Sequence, residues 1–262
     1  MITVLGASGF IGSNVVAYLE RAGLEFQAVE RGQQWPDGAL GHVIYCIGVT
    51  ADFRERPYDA VDAHVCTLID FVRRASFDSL LYLSSARLYL GRTGVAREDD
   101  DLQVNPLRFE DIYNISKAMG ESIVLSLGAK GRVARLTNVY GRGLSGTFLA
   151  SILADARDGS IVFHSAPEAV RDYVRVDDVA EVLVKIALHG RERIYNIASG
   201  VSVTNAELAA AIARHSGCSV TFAPDAAPAV FPRIDNERIR FEFGFTTPPL
   251  IDALPSLLGI RA

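Results

Sequence analysis

A glycine-rich segment near the amino terminus constrains the fold of this chain more than any other feature. Gly6-Ala7-Ser8-Gly9-Phe10-Ile11-Gly12 lies between an apolar run at 2–5 and an amphipathic pattern at 11–22. Glycines at this spacing permit a tight strand-to-helix turn and bring a phosphate close to the free N–H groups at the helix start. The spacing differs by one residue from the dinucleotide fingerprint, so an ordinary turn stays open as an alternative, although the position favours a binding loop.

Short apolar runs alternate with helical patterns through the first half of the chain. Runs this apolar, separated by helices, are typical of a parallel sheet covered on both faces. We therefore expect an α/β fold with a doubly wound parallel (Rossmann) sheet. The predicted strands are 2–5, 25–29, 42–48, 79–84 and 131–136, and the predicted helices are 11–22, 58–75 and about 114–128.

The connection after the second strand is unusually short. Only residues 31–41 separate it from the next strand, and they include three glycines and a proline. A parallel crossover with its helix takes a dozen or more residues. The sequence therefore predicts a loop here, so that the sheet is shortened by one helix and one edge strand.

After about residue 138 the pattern is less regular. We expect a Rossmann domain over 1–138, joined by returning segments near 172–198, and a smaller substrate-binding lobe over 139–262 at the carboxyl ends of the strands. The predicted helices are 147–158, 177–188, 205–216 and 249–258, the predicted strands lie near 161–163, 194–197 and 219–222, and the proline-rich stretch 224–232 is predicted to be loop.

Composition and charge exclude several classes of partner. The net charge of −5 gives no basic surface for nucleic acid. No apolar run approaches the roughly 20 residues of a membrane helix, and Met1 leads directly into the first strand without a signal segment. Three scattered cysteines have no metal-ligand spacing and are interpreted as buried reduced thiols. We expect a cytoplasmic protein with no metal, no membrane and no nucleic-acid partner.

The end of the second strand bears on the choice of dinucleotide. Glu30 lies 18 residues after Gly12, where a carboxylate can accept both ribose hydroxyls of NAD and repel the 2′-phosphate of NADP. Arg31 follows and could instead bind that phosphate. A solvated strand end is the simpler alternative for both side chains. The sequence favours NAD and leaves NADP possible.

Tyr113 and Lys117 form a candidate catalytic pair. They lie at i and i+4 of a predicted helix and therefore on one face of it. A neighbouring lysine cation favours the phenolate of a tyrosine and lowers its pKa, so that the tyrosine can exchange a proton with a sugar hydroxyl. Ser85, at the carboxyl end of the fourth strand, could hydrogen-bond the reacting oxygen. A Tyr–Lys pair at this spacing and a serine at a strand end also occur where they have no catalytic role.

Six segments together resemble the NAD-dependent epimerase/dehydratase family, the extended short-chain dehydrogenases. The resemblance spans nearly the whole chain and implies an enzyme that acts on nucleotide-linked sugars. The segments, in order, are GASGFIG (6–12), SSARLY (84–89), YNISK (113–117), RLTNVYGRG (135–143), RDYVRVDDVA (171–180) and YNIASG (195–200).

The resemblance also implies residue roles. Tyr113 would be the acid/base, Lys117 would hold Tyr113 and the nicotinamide ribose, and Ser85 would assist at the substrate oxygen. On the substrate side, Asn138 would contact the sugar nucleotide, Arg171 would meet its diphosphate, and Arg233 is a weaker candidate for the same anion. A loop-stabilising amide and surface ion pairs are the alternatives for these three. The expected cofactor-binding residues are Gly6, Ser8, Gly9, Phe10, Ile11, Gly12, Glu30, Arg31, Gly48, Tyr113 and Lys117.

Departures from the family narrow the chemistry. Sugar dehydratases of the family carry an Asp-Glu pair where this chain has Ala86 and Arg87, so dehydration is disfavoured. Arg87 could reach an acidic group of a substrate or point to solvent. His64 replaces the usual asparagine and is interpreted as a satisfied helix histidine, whereas Asp172, Asp177 and Asp178 are interpreted as structural.

Three functions remain. The first is hydride transfer at the sugar ring by a 4-epimerase, which Glu30 favours through NAD. The second is reduction of a nucleotide-linked 4-keto sugar by NAD(P)H, and the third is a non-catalytic dinucleotide sensor, which the presence of both Tyr113 and Lys117 disfavours. The resemblance also makes a homodimer possible, paired through the helices at 58–75 and 114–128.

Overall fold

The computed structural model describes residues 1–49 and 51–260, so the last two residues of the predicted 139–262 lobe lie outside the described part. Strands and helices alternate through most of this length. In chain order they are β1 (Ile2–Leu5), α1 (Phe10–Arg21), β2 (Phe26–Val29), β3 (His42–Tyr45), α2 (Pro57–Val61), α3 (Thr67–Arg74), β4 (Ser79–Ser85), β5 (Val95–Ala96), α4 (Asp111–Leu125), β6 (Gly131–Leu136), β7 (Asn138–Tyr140), α5 (Phe148–Arg157), β8 (Ser160–Ser165), β9 (Val170–Arg175), α6 (Val176–His189), β10 (Ile194–Ile197), β11 (Ser202–Thr204), α7 (Asn205–Ser216), β12 (Ser219–Ala227), β13 (Arg233–Ile234), α8 (Glu237–Phe243) and α9 (Leu250–Leu257).

The central sheet has six parallel strands in the order β10-β6-β4-β3-β1-β2. Leu5, the last residue of β1, pairs with Val29 of β2 on one side and Tyr45 of β3 on the other. The chain therefore runs from β1 to β2 at one edge of the sheet and then crosses back, so that β3 lies on the other side of β1. This reversal opens a crevice at the carboxyl ends of β1 and β3, which is where open α/β sheets bind ligands.

Helices cover both faces of the sheet, as a doubly wound fold requires. On one face α1 and α6 pack together over strands that contribute Val4, Ile44 and Leu81 to the core. On the other face Leu68 and Phe71 of α3 and Val124 of α4 pack against the remaining strand residues. Burial of apolar side chains on both faces explains why these strands are continuously hydrophobic. The predicted fold class is confirmed.

The predicted loop after the second strand is also confirmed. Residues 30–41 contain turns and bends, with one bridge between Ala39 and Ser76, but no helix. The loop ends at Gly41, whose φ of +62° favours glycine and whose added Cβ would lie 2.4 Å from the Met1 carbonyl oxygen. β2 is therefore an edge strand, and the space beside its carboxyl end is open.

The predicted helix at 58–75 is interrupted, which corrects the expectation of one regular helix. A π-helical turn at Asp62–Cys66 separates α2 from α3. The hydroxyl of Tyr45 donates to the Ala63 carbonyl oxygen within this turn over 2.7 Å. Gly120 of α4 packs against the same turn, since an added Cβ would lie 2.8 Å from the His64 carbonyl oxygen. A π-turn often marks a functional site because it changes which side chains point inward.

The carboxyl-terminal half contributes to two regions. α6 and β10 pack into the main core, whereas α5, α7 and α9 surround a second apolar cluster that includes Phe163 and Ile212. The division into the predicted domain and lobe stays a prediction.

Two expectations were wrong in detail: the predicted loop at 224–232 begins as the end of β12, and Cys66 is exposed. The sequence also missed the short strands β5, β7, β11 and β13, the six-residue strand β9, and helix α8.

Two structural features bear on partners. Across residues 1–49 and 51–260, no helix has both the length and the apolar character needed to cross a bilayer. In the same residues, no three His, Cys, Asp or Glu side chains converge as a set of metal ligands.

Candidate active site

The glycine loop lies in the crevice between β1 and α1. Gly6 has a φ of +80°, and a Cβ on Gly12 would lie 2.2 Å from the Gly6 carbonyl oxygen, so neither position accepts a larger residue without a backbone shift. Gly9 is the N-cap of α1, with no side-chain cap and no acidic residue in the first turn. The first N–H groups of the helix are therefore not occupied by a side chain. This arrangement fits the pyrophosphate of a dinucleotide, and Ser8, Phe10 and Ile11 lie in the same turn.

The open side of the crevice lies next to Glu30 and Arg31. Both residues line a cavity of about 770 Å³ that extends past Trp35 of the shortened loop. The Arg31 guanidinium donates to the Gly48 carbonyl oxygen over 3.0 Å, whereas the exposed Glu30 forms no ion pair with any described residue. Glu30 is therefore available to accept hydroxyl donors from a ligand.

Tyr113 lies near the start of α4, where it is buried at 7% exposure. Its ring packs 4.7 Å from the Phe53 ring and edge-on to His64, 5.3 Å between ring centres. Burial raises the pKa of the Tyr113 hydroxyl, while a hydrogen bond with Ser85 and the positive charge of Arg87 act in the opposite direction. Tyr113 and Ser85, predicted from separate segments, are thus brought together.

Lys117 lies one turn further along α4 and is also buried. Its Nζ donates to the Leu83 carbonyl oxygen over 2.8 Å and lies 5.0 Å from the centre of the Tyr82 ring. Burial lowers the pKa of Lys117 to about 7. Arg87 is a cation that lowers the pKa of Tyr113 in this structure. The expected effect of Lys117 on the same pKa stays a prediction.

His64 occupies the π-turn behind this pair. Its Nδ1 lies 2.9 Å from the Ser116 hydroxyl, and its Nε2 accepts from the Val49 N–H over 3.4 Å. Burial lowers the pKa of His64 to about 2, so the ring is neutral. A Cβ on Gly48 would lie 3.4 Å from His64 Nε2 and 3.6 Å from Lys117 Nζ. The interpretation of His64 as a satisfied buried histidine is confirmed, and Gly48 leaves room above it.

Ala86 and Arg87 begin a short 3-10 helix directly after β4. Ala86 is buried, and the Arg87 backbone N–H donates to the Ser85 hydroxyl over 3.1 Å. The Arg87 side chain pairs with Glu110, a half-exposed carboxylate. Hydrogen bonds from Arg54 lower the pKa of Glu110, so it is ionised and a poor proton donor. Neither position after Ser85 supplies an acid for dehydration.

The predicted substrate-side residues differ in their surroundings. Arg171 is half-buried, donates to Asn205 Oδ1 over 2.6 Å and lies 3.9 Å from the centre of the Phe148 ring. No described carboxylate pairs with it, which excludes the ion-pair alternative within residues 1–49 and 51–260. Asn138 is exposed, and its Nδ2 donates to the Asp172 carbonyl oxygen over 3.0 Å. Arg233 is exposed on β13, and its role stays a prediction.

The aspartates interpreted as structural have that role. Asp172 is buried and accepts hydrogen bonds from Thr137, Ser199 and the Gly200 N–H. Asp177 and Asp178 lie in the first turn of α6, as the helix dipole favours. The contacts of Asp172 join β9, which carries Arg171, to the loop after β10.

Phe53 is a site residue that the sequence analysis missed. It lies in a 3-10 helical turn before α2, outside every predicted element. Its ring contacts the rings or guanidinium groups of Tyr113, Arg54 and Arg87. The only signal in the sequence is an isolated aromatic residue in a charged stretch, which gives no reason to place it beside residue 113.

A comparison with models of protein families assigns the chain to a family. It matches the NAD dependent epimerase/dehydratase family over residues 2–61 and 37–198, well over half of its length. The chain therefore belongs to this family, as the six motifs predicted. The glycine loop and the Tyr113–Ser85 pair lie within the matched residues.

Characterised relatives cover more than one chemistry. The chain is 25% identical to dTDP-4-dehydro-6-deoxy-D-allose reductase of Streptomyces bikiniensis, covering 79% of this chain and 78% of the reductase. It is 28% identical to dTDP-glucose 4,6-dehydratase of Streptomyces griseus, covering 75% of this chain and 61% of the dehydratase. The fold is shared with UDP-glucuronic acid 4-epimerase of Bacillus cereus, solved with UDP-glucuronic acid and NAD, at a TM-score of 0.78, 17% identity and coverage of 99% and 98%.

Proposed function

We propose that the chain binds NAD and catalyses hydride transfer at the sugar ring of a nucleotide-linked sugar, as a 4-epimerase. The observation that carries this proposal is the group formed by Tyr113, Ser85 and Lys117 at the carboxyl end of the sheet, next to the glycine loop. The absence of an acid at Ala86 and Arg87 argues against dehydration. The unpaired Glu30 supports NAD over NADP.

A bound nicotinamide would accept hydride from the sugar carbon and return it. The chain's own residues transfer the proton. Tyr113 removes it from the sugar hydroxyl as the carbon is oxidised and returns it as the carbon is reduced. Ser85 donates a hydrogen bond to the same sugar oxygen and holds it beside Tyr113. In the free protein the hydrogen bond with Ser85 and the positive charge of Arg87 both lower the pKa of Tyr113. Once Ser85 donates to the sugar oxygen, the charge of Arg87 still favours the phenolate that the first step requires.

Lys117 positions the ribose end of the cofactor in this proposal. Its ammonium is anchored to the Leu83 carbonyl oxygen, and the glycine at position 48 leaves space above it. On the substrate side, Arg171 has no carboxylate partner among the described residues and is available for the nucleotide diphosphate. Asn138 retains its Oδ1 as an acceptor for a sugar or nucleotide hydroxyl.

Reduction of a 4-keto sugar by NAD(P)H is the second candidate. Burial keeps Tyr113 neutral in the structure, and a neutral phenol is ready to donate a proton to a ketone oxygen. The similarity to the dTDP-sugar reductase also favours this candidate. The two functions share their proton chemistry and differ in whether the cofactor is regenerated within the site.

The test begins with freshly purified, untreated protein. We expect denaturation to release about one NAD per chain, and we expect UDP-glucose, UDP-glucuronic acid or dTDP-glucose to be converted into its 4-epimer without added cofactor. Empty protein that prefers NADPH over NADH and reduces a 4-keto sugar would contradict the epimerase and support the reductase. Protein that binds dinucleotide and converts no nucleotide sugar in either assay would support the sensor.

A homodimer paired through α2, α3 and α4 is a further part of the proposal. Tyr58 on α2 and Met119 on α4 are exposed, at 80% and 49%, and the two helices pack against each other. Exposed apolar side chains on neighbouring helices are suited to contact with a second copy. Light scattering coupled to size exclusion measures the mass directly, and a mass of one chain at micromolar concentration would contradict the dimer.

A further inference from the structure

A compact charged cluster lies beside the candidate catalytic tyrosine. It consists of Arg54, Arg87, Glu110 and the ring of Phe53, and we refer to it as the Arg87 cluster. The guanidinium groups of Arg54 and Arg87 lie 4.8 and 5.1 Å from the centre of the Phe53 ring, which itself packs 4.7 Å from the Tyr113 ring. The cluster is therefore separated from the reacting hydroxyl by one aromatic ring.

The cluster carries more positive than negative charge. Glu110 bonds Arg54 through both carboxylate oxygens, at 2.9 and 3.3 Å, and bonds Arg87 through one of them at 3.1 Å. One carboxylate thus serves two guanidinium groups, which leaves a net charge of +1. Two cations that share one anion repel each other, so the arrangement favours a second anion.

Arg87 is the less satisfied of the two cations. Its side chain is only 20% exposed, compared with 51% for Arg54. Its Nε is buried without a hydrogen-bond partner, and its Nη1 bonds to no residue in the described part of the chain. A buried guanidinium with unused donors is costly unless an acceptor is supplied. The remaining exposure of the side chain gives an acceptor access to it.

The position of Arg87 indicates which part of a substrate would supply the acceptor. Its backbone N–H holds the Ser85 hydroxyl, the group that contacts the reacting sugar oxygen in the proposed function. An anion at Arg87 must then belong to the sugar or to a substituent on it. The diphosphate has a separate candidate in Arg171, which lies in β9 beyond the central sheet.

We propose that Arg87, supported by Arg54, binds an acidic group on the sugar of the substrate, so that the enzyme acts on a nucleotide-linked sugar acid such as a uronic acid. In the free protein Glu110 holds the two arginines in place. When substrate binds, the carboxylate of the sugar replaces part of the contact between Glu110 and the arginines. This inference rests on the proposed function, because it assumes that a nucleotide-linked sugar occupies the crevice. No covalent step is involved.

Binding of two matched probes tests the inference. UDP-glucuronic acid and UDP-glucose differ only in a carboxylate where the other has a hydroxymethyl group. With protein loaded with NADH, which cannot oxidise either sugar, calorimetry should give roughly 10- to 100-fold tighter binding of the acid, the range expected for a hydrogen bond to a charged group. The preference should weaken as salt is raised.

Variants assign that preference to Arg87. Arg87→Gln should remove the preference for the acid, and Arg87→Lys should restore part of it because the charge is kept. Arg73→Gln, an equal change of charge at an exposed position on α3, should leave the preference intact. Because Arg87→Gln could impair folding, Glu110→Gln provides a second test: it removes the competing carboxylate and should increase the preference for the acid.

The outcomes separate this inference from the proposed function. Equal binding of the two probes by the unmodified protein, or an unchanged preference in correctly folded Arg87→Gln, would overturn the inference and leave the proposed function standing. A reduced preference in Glu110→Gln would also overturn it. Failure of both probes to bind would overturn the inference, and failure of dTDP-glucose to bind as well would overturn the proposed function with it.

Discussion

The ring centres of Phe53 and Tyr113 lie 4.7 Å apart, with the planes tilted by 38°. The guanidinium of Arg87 lies 5.1 Å from the centre of the same Phe53 ring. A positive charge is thereby held close to the candidate acid/base by packing, without a direct hydrogen bond to it.

Loss of the Arg87 charge should change the pH dependence of oxidation. Because that charge lowers the pKa of Tyr113, Arg87→Met should raise the pKa and move the rising limb of the rate of sugar oxidation to higher pH. The measurement is the pH profile of single-turnover NADH formation at saturating substrate. Arg87→Lys should shift the limb less than Arg87→Met, and an unmoved limb in Arg87→Met would contradict the role assigned to this charge.

Gly12 should tolerate no side chain. The added methyl of Gly12→Ala would lie 2.2 Å from the Gly6 carbonyl oxygen, so the helix must move away from the strand. We expect a loss of about 1–3 kcal/mol in the free energy of unfolding and a loss of dinucleotide binding. Gly9→Ala is the matched control, since its methyl would meet the same oxygen at 3.3 Å. Equal melting temperatures for the two variants would contradict the assigned packing.

Glu30 should set the preference for NAD. Glu30→Gln removes the charge that repels a 2′-phosphate and weakens the acceptor for the ribose hydroxyls. Titration of cofactor-free protein should show NADH binding weakened roughly 10-fold and NADPH binding unchanged or improved. Glu25→Gln, an exposed change before β2, is the control. If Glu30→Gln kept the full preference for NADH, the assignment of Glu30 would be wrong.

Lys117 should make the stability of the fold depend on pH. Its pKa is lowered from its usual value to about 7 by burial, so between about pH 7 and 10 the unfolded chain binds a proton that the folded chain does not. The stability contributed at this residue therefore rises with pH over that window.

Denaturant unfolding at several pH values measures this effect. We compare the free energy of unfolding of Lys117→Met with that of the unmodified protein. Any gain in the variant should be largest near pH 7 and should shrink towards pH 10. Lys185→Met, at a half-exposed position on α6, should show no such trend. A constant difference across the pH range for Lys117→Met would mean that Lys117 stays charged in the fold.

The sequence predicted the sheet and brought together the residues of the candidate site because both depend on local patterns. Strand β6 at 131–136 and helix α7 at 205–216 have the predicted bounds, and the loop at 31–41 follows from its length alone. Tyr113 and Lys117 share a helix face, so their spacing was sufficient to pair them. The glycine loop was predictable for the same reason, because its residues are contiguous in the sequence.

Features that depend on distant contacts were not predictable in this way. The π-turn at Asp62–Cys66 is accommodated by the Tyr45 hydroxyl and by Gly120, which come from other elements. Arg87 and Tyr113 both pack against Phe53, which is 60 residues before the tyrosine in a segment without periodicity. The pKa shift of Lys117 follows from burial, which the spacing of the pair does not reveal.

The variant Tyr113→Phe shows whether Tyr113 is the acid/base of a dinucleotide-dependent enzyme. The variant keeps the ring that packs on Phe53 and removes only the hydroxyl. We predict a fall in turnover of the nucleotide sugar of roughly 10²- to 10⁴-fold, with NADH affinity unchanged. Tyr58→Phe, at an exposed position on α2, should leave both unchanged. Undiminished turnover by Tyr113→Phe would mean that Tyr113 is not the acid/base.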